Sequence, residues 1–140
     1  HLGHPEPGAA PSQTGRMTDE ASRIDVKLAA ARQRIDRVEP SVLADEVAAG
    51  ALVVDLRPDA DRRIDGDLPG AVVIERIHLE WRLDRTSGAA LPEARDDLRV
   101  ILVCNEGYSS SLAAADLRDL GIRRATDLIG GYRGWKAAQG

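Results

Sequence analysis

The sequence predicts an α/β fold, with one parallel sheet and helices on both of its faces, and two observations support this. Four short segments are rich in apolar residues, as buried parallel strands are: 51–56, 71–75, 99–103 and 126–129. Segments that read as helices or turns separate these strands. Because strands and helices alternate, we expect right-handed crossovers between parallel neighbours.

The whole-chain properties are those of a single globular domain. Its 140 residues suffice for a proper core, and 43% hydrophobic with 30% charged residues is a globular balance. No apolar stretch approaches the length of a membrane span, and no signal-peptide pattern occurs. The net charge is −4, and no basic stripe is present. We therefore expect neither a membrane nor a nucleic acid as partner.

The start of the chain differs in composition from the rest. Residues 1–16 are rich in Pro, Gly, Ala and Ser and lack a hydrophobic period, so we expect a disordered leader or the remains of an expression tag. Met17 is a plausible native start, which leaves a single domain over 17–140. His1 and His4 have no further metal ligand near them in sequence. We predict no metal site and no cofactor.

An amphipathic helix is predicted before the first strand, over residues 17–39, and Pro40 ends it. Its apolar stripe consists of Ile24, Leu28, Ala31, Ile35 and Val38. We expect this stripe to pack on the rest of the domain. A short second helix is predicted over 41–49, and Gly50 supplies the stop.

The later connections comprise four further helical segments and one long loop. Helices are predicted at 59–66, 78–84, 109–120 and around Trp135. Residues 85–97 contain Pro92 and no hydrophobic period, which indicates a surface loop. Trp81 is expected to be half-buried by packing, although Trp81 and Arg82 could instead line the mouth of a pocket.

Cys104 is the only cysteine, and it stands where the third strand ends and a loop begins. No intramolecular disulfide can form, and a lone thiol suits a reducing compartment, so we expect a cytoplasmic protein. Loop N–H groups and the start of the helix over 109–120 should point at the sulfur and favour its ionisation. The alternative is that Cys104 simply packs in the core, as most free cysteines do.

The loop after Cys104 has the composition of a small anion site. Gly107 permits a positive φ, and the serines around it keep the rim small and polar. N–H donors at a helix N-terminus can surround an anionic sulfur and a small anionic ligand. The predicted substrate-binding loop consists of Asn105, Glu106, Gly107, Tyr108, Ser109 and Ser110.

Four blocks in this order resemble a single rhodanese domain. They are Val54-Asp55-Leu56-Arg57, Gly66-Asp67-Leu68-Pro69-Gly70-Ala71, the Cys104 loop, and Leu128-Ile129-Gly130-Gly131-Tyr132-Arg133-Gly134-Trp135. Many rhodaneses carry an arginine five residues after the cysteine, where this chain has Ser109. The loop is more similar to the single-domain members with the pattern C-x-x-G-x-S-S.

The resemblance implies a rhodanese-like parallel sheet and a sulfurtransferase activity. Cys104 would take a sulfane sulfur from a small donor such as thiosulfate, hold it as a persulfide and pass it to a thiol or to cyanide. Structural support is implied for Asp55, Arg57, Gly131 and Trp135, with Asp61 as a candidate partner for Arg57.

Glu106 and the missing loop arginine leave other functions open. The Glu106 carboxylate should oppose an anionic donor, so thiosulfate is not the assured substrate. A non-catalytic rhodanese-like module that binds a partner or senses oxidants through Cys104 is the main alternative. A phosphatase of related fold is disfavoured, because Ser110 stands six residues after Cys104 and no arginine there can clamp a phosphoryl group. The oligomeric state does not follow from the sequence.

Overall fold

The computed structural model describes residues 21–140. The predicted leader (1–16) and the first residues of the predicted N-terminal helix lie outside the described residues. Within the described part, four parallel strands form one sheet in the spatial order β2-β1-β3-β4. The strands are β1 (Leu52–Asp55), β2 (Val72–Val73), β3 (Val100–Val103) and β4 (Ala125–Asp127).

Helices cover both faces of this sheet, which confirms the predicted α/β fold. The α-helices in residues 21–140 are α1 (Arg23–Gln33), α2 (Leu43–Ala48), α3 (Asp59–Asp65), α4 (Leu79–Leu83), α5 (Ser109–Asp119) and α6 (Gly131–Ala138). Short 3-10 helices at Pro40–Val42 and Arg76–His78 precede α2 and α4. Helices α4 and α5 contribute to the core on one face, and α2 and α6 contribute on the other. Helix α1 packs against α5.

The central strands are buried on both faces, as their continuous apolar sequence predicts. Val54 and Leu102 pack in the same cluster as Leu117 of α5. Val53 and Ile101 point to the opposite face. Complete burial of such side chains stabilises the fold by about 1.5–3 kcal/mol each. This two-sided burial fixes the register of β1 and β3 and therefore the position at which each strand ends.

The N-terminal helix ends earlier than predicted, at Gln33 instead of at Pro40. Val38 forms a parallel bridge with Leu128, in which the Val38 N–H donates to the Asp127 carbonyl at 2.9 Å. This bridge extends the sheet beside β4, which would otherwise present an open edge. Val38 is therefore buried because it joins the sheet and not because it continues a helical stripe, while Ile24 of the predicted stripe is exposed.

Two smaller predictions were also wrong. The second strand is only two residues long, against the five residues predicted over 71–75. Trp81 is not half-buried by packing, since 61% of it is exposed. It lines a surface pocket together with Asp84 and Leu120, and Cys104 is not among the residues that line that pocket. The segment 85–97 has no helix or strand, as predicted.

Candidate functional site

The Cys104 sulfur lies at the carboxyl end of β3, where loop and helix N–H groups converge on it. Sγ accepts hydrogen bonds from the Gly107 N–H at 3.1 Å and from the Ser110 N–H at 3.4 Å. The thiol in turn donates to Ser110 Oγ at 3.2 Å. Cys104 is only 4% exposed. The donors belong to the loop and to the first turn of α5, so the helix N-terminus faces the sulfur as the sequence predicts.

The start of α6 closes over the Cys104 loop from the other side. The Tyr132 N–H donates to the Cys104 carbonyl at 2.8 Å, and the Arg133 N–H donates to the Asn105 carbonyl at 3.1 Å. Gly131 has a φ of +61°, and a Cβ there would collide with the Cys104 carbonyl oxygen and approach Gly107 N to 2.7 Å. Only glycine allows this approach of two backbones. Gly131 therefore supports the loop that carries the thiol.

Asn105 is a buried loop residue with unusual hydrogen bonding. It is buried, and neither its Nδ2 nor its Oδ1 atom has a hydrogen-bond partner among residues 21–140. Buried amide groups without partners cost about 1–3 kcal/mol each and are therefore rare. Asn105 directly follows Cys104 in sequence. Its side-chain amide is therefore a hydrogen-bonding group of the loop that is available to a ligand bound near the thiol.

A buried ion pair supports the neighbouring strand end. Arg57 Nη2 contacts Asp55 Oδ2 at 2.9 Å and donates to the Gly66 carbonyl at 2.8 Å, and both charged residues are 1% exposed. The Arg57 guanidinium lies 3.8 Å from the centroid of the Tyr132 ring in α6. The predicted partner Asp61 was wrong, because Asp55 occupies that role from two residues before Arg57.

The predicted loop residues Tyr108 and Ser109 lie at the start of α5, where Ser109 is the first helical residue. Tyr108 is partly buried, and the Arg32 guanidinium lies 5.6 Å from the centroid of its ring. Trp135 of α6 is partly buried in the core, with its ring 5.7 Å from that of Tyr132. Trp135 thus lies among packing residues, whereas Tyr108 faces the N-terminal helix.

Glu106 forms an ion pair that sequence reasoning did not find. Its Oε2 lies 3.1 Å from Nη1 of Arg133, and the side chain is 17% exposed. Arg133 also approaches Asp65 at 3.7 Å. The guanidinium offsets the carboxylate charge that would oppose an anionic donor. Arg133 stands 27 residues after Glu106, and no local pattern in the sequence links the two.

A second feature that the sequence analysis missed is a polar network behind the thiol, centred on Asp127 at the end of β4. Asp127 is fully buried, and its Oδ2 accepts hydrogen bonds from Ser110 Oγ at 2.7 Å and Ser111 Oγ at 2.8 Å. Arg37 donates from Nε to its Oδ1 at 2.8 Å. The signal was present in the sequence, since a carboxylate inside the apolar segment 126–129 needs a buried partner.

Arg32 completes this network from helix α1. Its Nη2 donates to the Gly107 carbonyl at 2.7 Å, which Arg37 Nη2 also approaches at 2.9 Å, and its Nε donates to Ser111 Oγ at 3.1 Å. Burial lowers the pKa of Arg32, the charge of Arg37 lowers it further, and Asp127 opposes this. The Gly107 residue whose N–H donates to the sulfur is therefore held at its carbonyl by two cations.

Residues 21–140 contain neither a cluster of metal-binding side chains nor a membrane-spanning helix. Over residues 21–140, His, Cys, Asp and Glu side chains form no group of three or more suited to a metal ion. None of the helices in the same range has the length and apolar character needed to cross a membrane.

A buried thiol held by loop N–H groups at the end of a parallel strand defines an α/β domain with a cysteine loop. The chain belongs to the rhodanese-like domain family, whose sequence profile matches residues 39–138. The family resemblance of the four sequence blocks is thereby confirmed.

Individual relatives extend this result. Adenylyltransferase and sulfurtransferase MOCS3 of Arabidopsis thaliana is 32% identical over an alignment of 94 residues, and the match covers 61% of this chain and 20% of that protein. The matched region thus spans about a fifth of that curated relative's length. The human single-domain sulfurtransferase TSTD1 is 26% identical with a TM-score of 0.59, covering 72% of this chain and 95% of the human one.

A solved structure from Rhodopseudomonas palustris matches a larger part of the chain. It is a protein of unknown function described as a possible tyrosine phosphatase, with a TM-score of 0.76 and 27% identity. The match covers 90% of this chain and 98% of the other. Residues 39–138 alone cannot account for 90% of the chain, so this likeness includes residues outside the family match.

Proposed function

We propose that the protein is a sulfurtransferase that takes a sulfane sulfur onto Cys104 as a persulfide and passes it to a thiol or to cyanide. The observation that carries the proposal is the pair of N–H groups, from Gly107 and Ser110, that point at Sγ. Such donors stabilise a negative sulfur, which is the reactive form of a thiol and also the form of a persulfide at neutral pH. The sulfurtransferases among the relatives support the same reaction class.

The reaction needs two displacements at sulfur. The Cys104 thiolate attacks the sulfane sulfur of a donor such as thiosulfate, a new S–S bond forms, and the bond to the sulfonate breaks with its electron pair leaving on sulfite. An acceptor thiolate then attacks the outer sulfur of the persulfide. That step breaks the persulfide bond and returns its electron pair to Cys104 as the thiolate.

The loop offers specific groups to the anionic donor. The Asn105 amide is the first candidate, because its Nδ2 donor is buried beside Cys104 in sequence and has no partner in residues 21–140. The low exposure of Cys104 favours a small donor over a bulky one. Glu106 is a weaker obstacle to an anion than its charge suggests, since Arg133 lies 3.1 Å away. Tyr108 and Ser109 are proposed to complete the binding loop at its outer end.

Two other functions are less well supported. A non-catalytic module that binds a partner or senses oxidants through Cys104 is the main alternative. The 4% exposure of the thiol limits access by a sulfur donor, but it also counts against oxidant sensing. A phosphatase is suggested by the description of the Rhodopseudomonas protein, but this loop has Ser110 where a phosphatase loop needs its arginine. The nearby guanidinium groups of Arg32 and Arg37 already bind the Gly107 carbonyl. A cytoplasmic location is proposed only from the lone cysteine.

The test is the intact mass of the protein after incubation with thiosulfate. We expect a gain of about one sulfur atom that a thiol reductant removes, with release of sulfite. Cys104→Ser is the matched control, because the hydroxyl is close in size but forms no stable persulfide. A thiol that gains no sulfur from thiosulfate or any other sulfane donor would favour the non-catalytic module. Sulfur transfer by Cys104→Ser would refute the proposed role of Cys104.

A further inference from the structure

We propose that Arg32, carried by helix α1 outside the family match, is the electrostatic partner of the Cys104 sulfur in its anionic form. The inference rests on the proposed function and deepens it, because it assigns a positioning residue to the same site.

The first argument is the connection between the two residues. Gly107 donates its N–H to Sγ at 3.1 Å, while its carbonyl accepts from Arg32 Nη2 at 2.7 Å. Arg32 Nε also donates to Ser111 Oγ, which itself donates to Asp127. Arg32 is thus linked to the thiol through one residue of the loop on one side and through the polar network on the other.

The second argument is the charge of the network. Arg32 and Arg37 contribute two positive charges, and Asp127 contributes one negative charge in direct contact with Arg37. No carboxylate among residues 21–140 lies within ion-pair distance of Arg32. Arg32, Arg37 and Asp127 together therefore have a net charge of +1 while Cys104 is protonated. When the sulfur carries a negative charge, the four residues together are neutral. Partly buried charges favour such neutralisation.

Other charged groups around the loop do not provide this compensation. Glu106 faces the loop from its outer side, and Arg133 of α6 balances it at 3.1 Å. The Arg32 guanidinium lies 5.6 Å from the centroid of the Tyr108 ring, and this contact does not remove the positive charge of Arg32. Arg32 therefore remains the cation in excess on the side of the loop that faces α1.

The test measures the rate at which a neutral reagent, iodoacetamide, alkylates Cys104 as a function of pH. It needs no sulfur donor, so its outcome is separate from that of the persulfide experiment. We expect Arg32→Gln to move the pH midpoint upward, with alkylation about three- to tenfold slower below that midpoint. Arg32→Lys should lie close to the wild type because it keeps the charge. Arg34→Gln is the matched control, since Arg34 pairs with Asp119 at the surface.

A second variant should shift the pH midpoint in the opposite direction, and it therefore separates a charge effect from a loss of loop structure. Asp127→Asn removes the negative charge and leaves Ser110 free to donate to the sulfur, so the midpoint should move downward. A general loosening of the loop would move both variants the same way. The inference would be overturned if Arg32→Gln and Asp127→Asn shifted the midpoint in the same direction. It would also be overturned if Arg32→Gln had the same midpoint as the control Arg34→Gln. If Asp127→Asn does not fold, Arg32→Lys decides: a midpoint close to that of Arg32→Gln would overturn the inference, because the lysine keeps the charge.

Discussion

Two arginine–aspartate pairs with a buried aspartate lie near the cysteine loop, and they differ in the residues to which they are hydrogen-bonded. Asp55 and Arg57 stand two residues apart at the end of β1, and their hydrogen bonds hold Gly66. Asp127 and Arg37 stand 90 residues apart, and their hydrogen bonds reach Ser110, Ser111 and the Gly107 carbonyl. Among residues 21–140, the hydrogen bonds of the first pair do not reach the cysteine loop, whereas those of the second pair reach Ser110, which is hydrogen-bonded to the Cys104 sulfur. We therefore expect the first pair to affect mainly stability and the second to affect the thiol as well.

Breaking the structural pair should give the largest effect on stability. Asp55→Asn leaves the Arg57 guanidinium buried without its counter-charge, which typically costs about 3–5 kcal/mol. We expect this loss in the free energy of unfolding by urea denaturation. The pH midpoint of Cys104 alkylation should shift less than in Asp127→Asn, because no hydrogen bond among residues 21–140 joins Asp55 to the sulfur or to Ser110. Equal shifts in the two variants would contradict the distinction between the pairs.

The contrast between the pairs also shows how far the sequence can be read. The supporting role of Asp55 and Arg57 could be proposed because the two residues are neighbours in one recognisable block. The role of Arg37 could not, because an arginine on a charged helix face gives no sign of a carboxylate 90 residues later. Only the isolated carboxylate of Asp127 in an apolar segment pointed to a buried partner.

The fold shows the same limit. Strands β1 and β3 were found within one or two residues, since a strand that is buried on both faces must be apolar throughout. The end of α1 was not, because Val38 has the spacing of a helical stripe and yet lies in a bridge with Leu128. Helical spacing of apolar residues indicates that a residue such as Val38 is buried, but it does not specify which element buries it. That ambiguity matters here, because the turn after α1 carries Arg37 to Asp127.

A substitution at Gly131 should weaken the contact between α6 and the loop, with a smaller effect on stability. In Gly131→Ala, the positive φ costs about 1–2 kcal/mol and the collision with the Cys104 carbonyl adds about 1–3 kcal/mol. We expect a loss of about 2–5 kcal/mol in urea denaturation together with reduced persulfide formation. The effect on activity arises because the Tyr132 N–H can no longer hold the Cys104 carbonyl.

The matched control for this prediction is Gly121→Ala. Gly121 also has a positive φ, of +92°, but a Cβ there meets no atom within 4 Å. It should therefore show the backbone cost alone and leave persulfide formation unchanged. If both variants lose the same stability and neither loses activity, the approach of α6 does not position the loop.

The smallest effect is expected at the third arginine–carboxylate pair, Glu106 and Arg133. Here the arginine side chain is 52% exposed, so solvent screens the pair more than either buried one. Because Arg133 already offsets the carboxylate, Glu106→Gln should lower the KM for thiosulfate by no more than about twofold. Arg133→Gln should act in the opposite direction and raise the KM, since it removes a guanidinium that offsets the Glu106 charge. Steady-state kinetics at low and high salt measure both effects, and added salt should reduce them. A large gain from Glu106→Gln at low salt would mean that Arg133 does not neutralise the carboxylate in solution, and the rim of the site would then select against anionic donors.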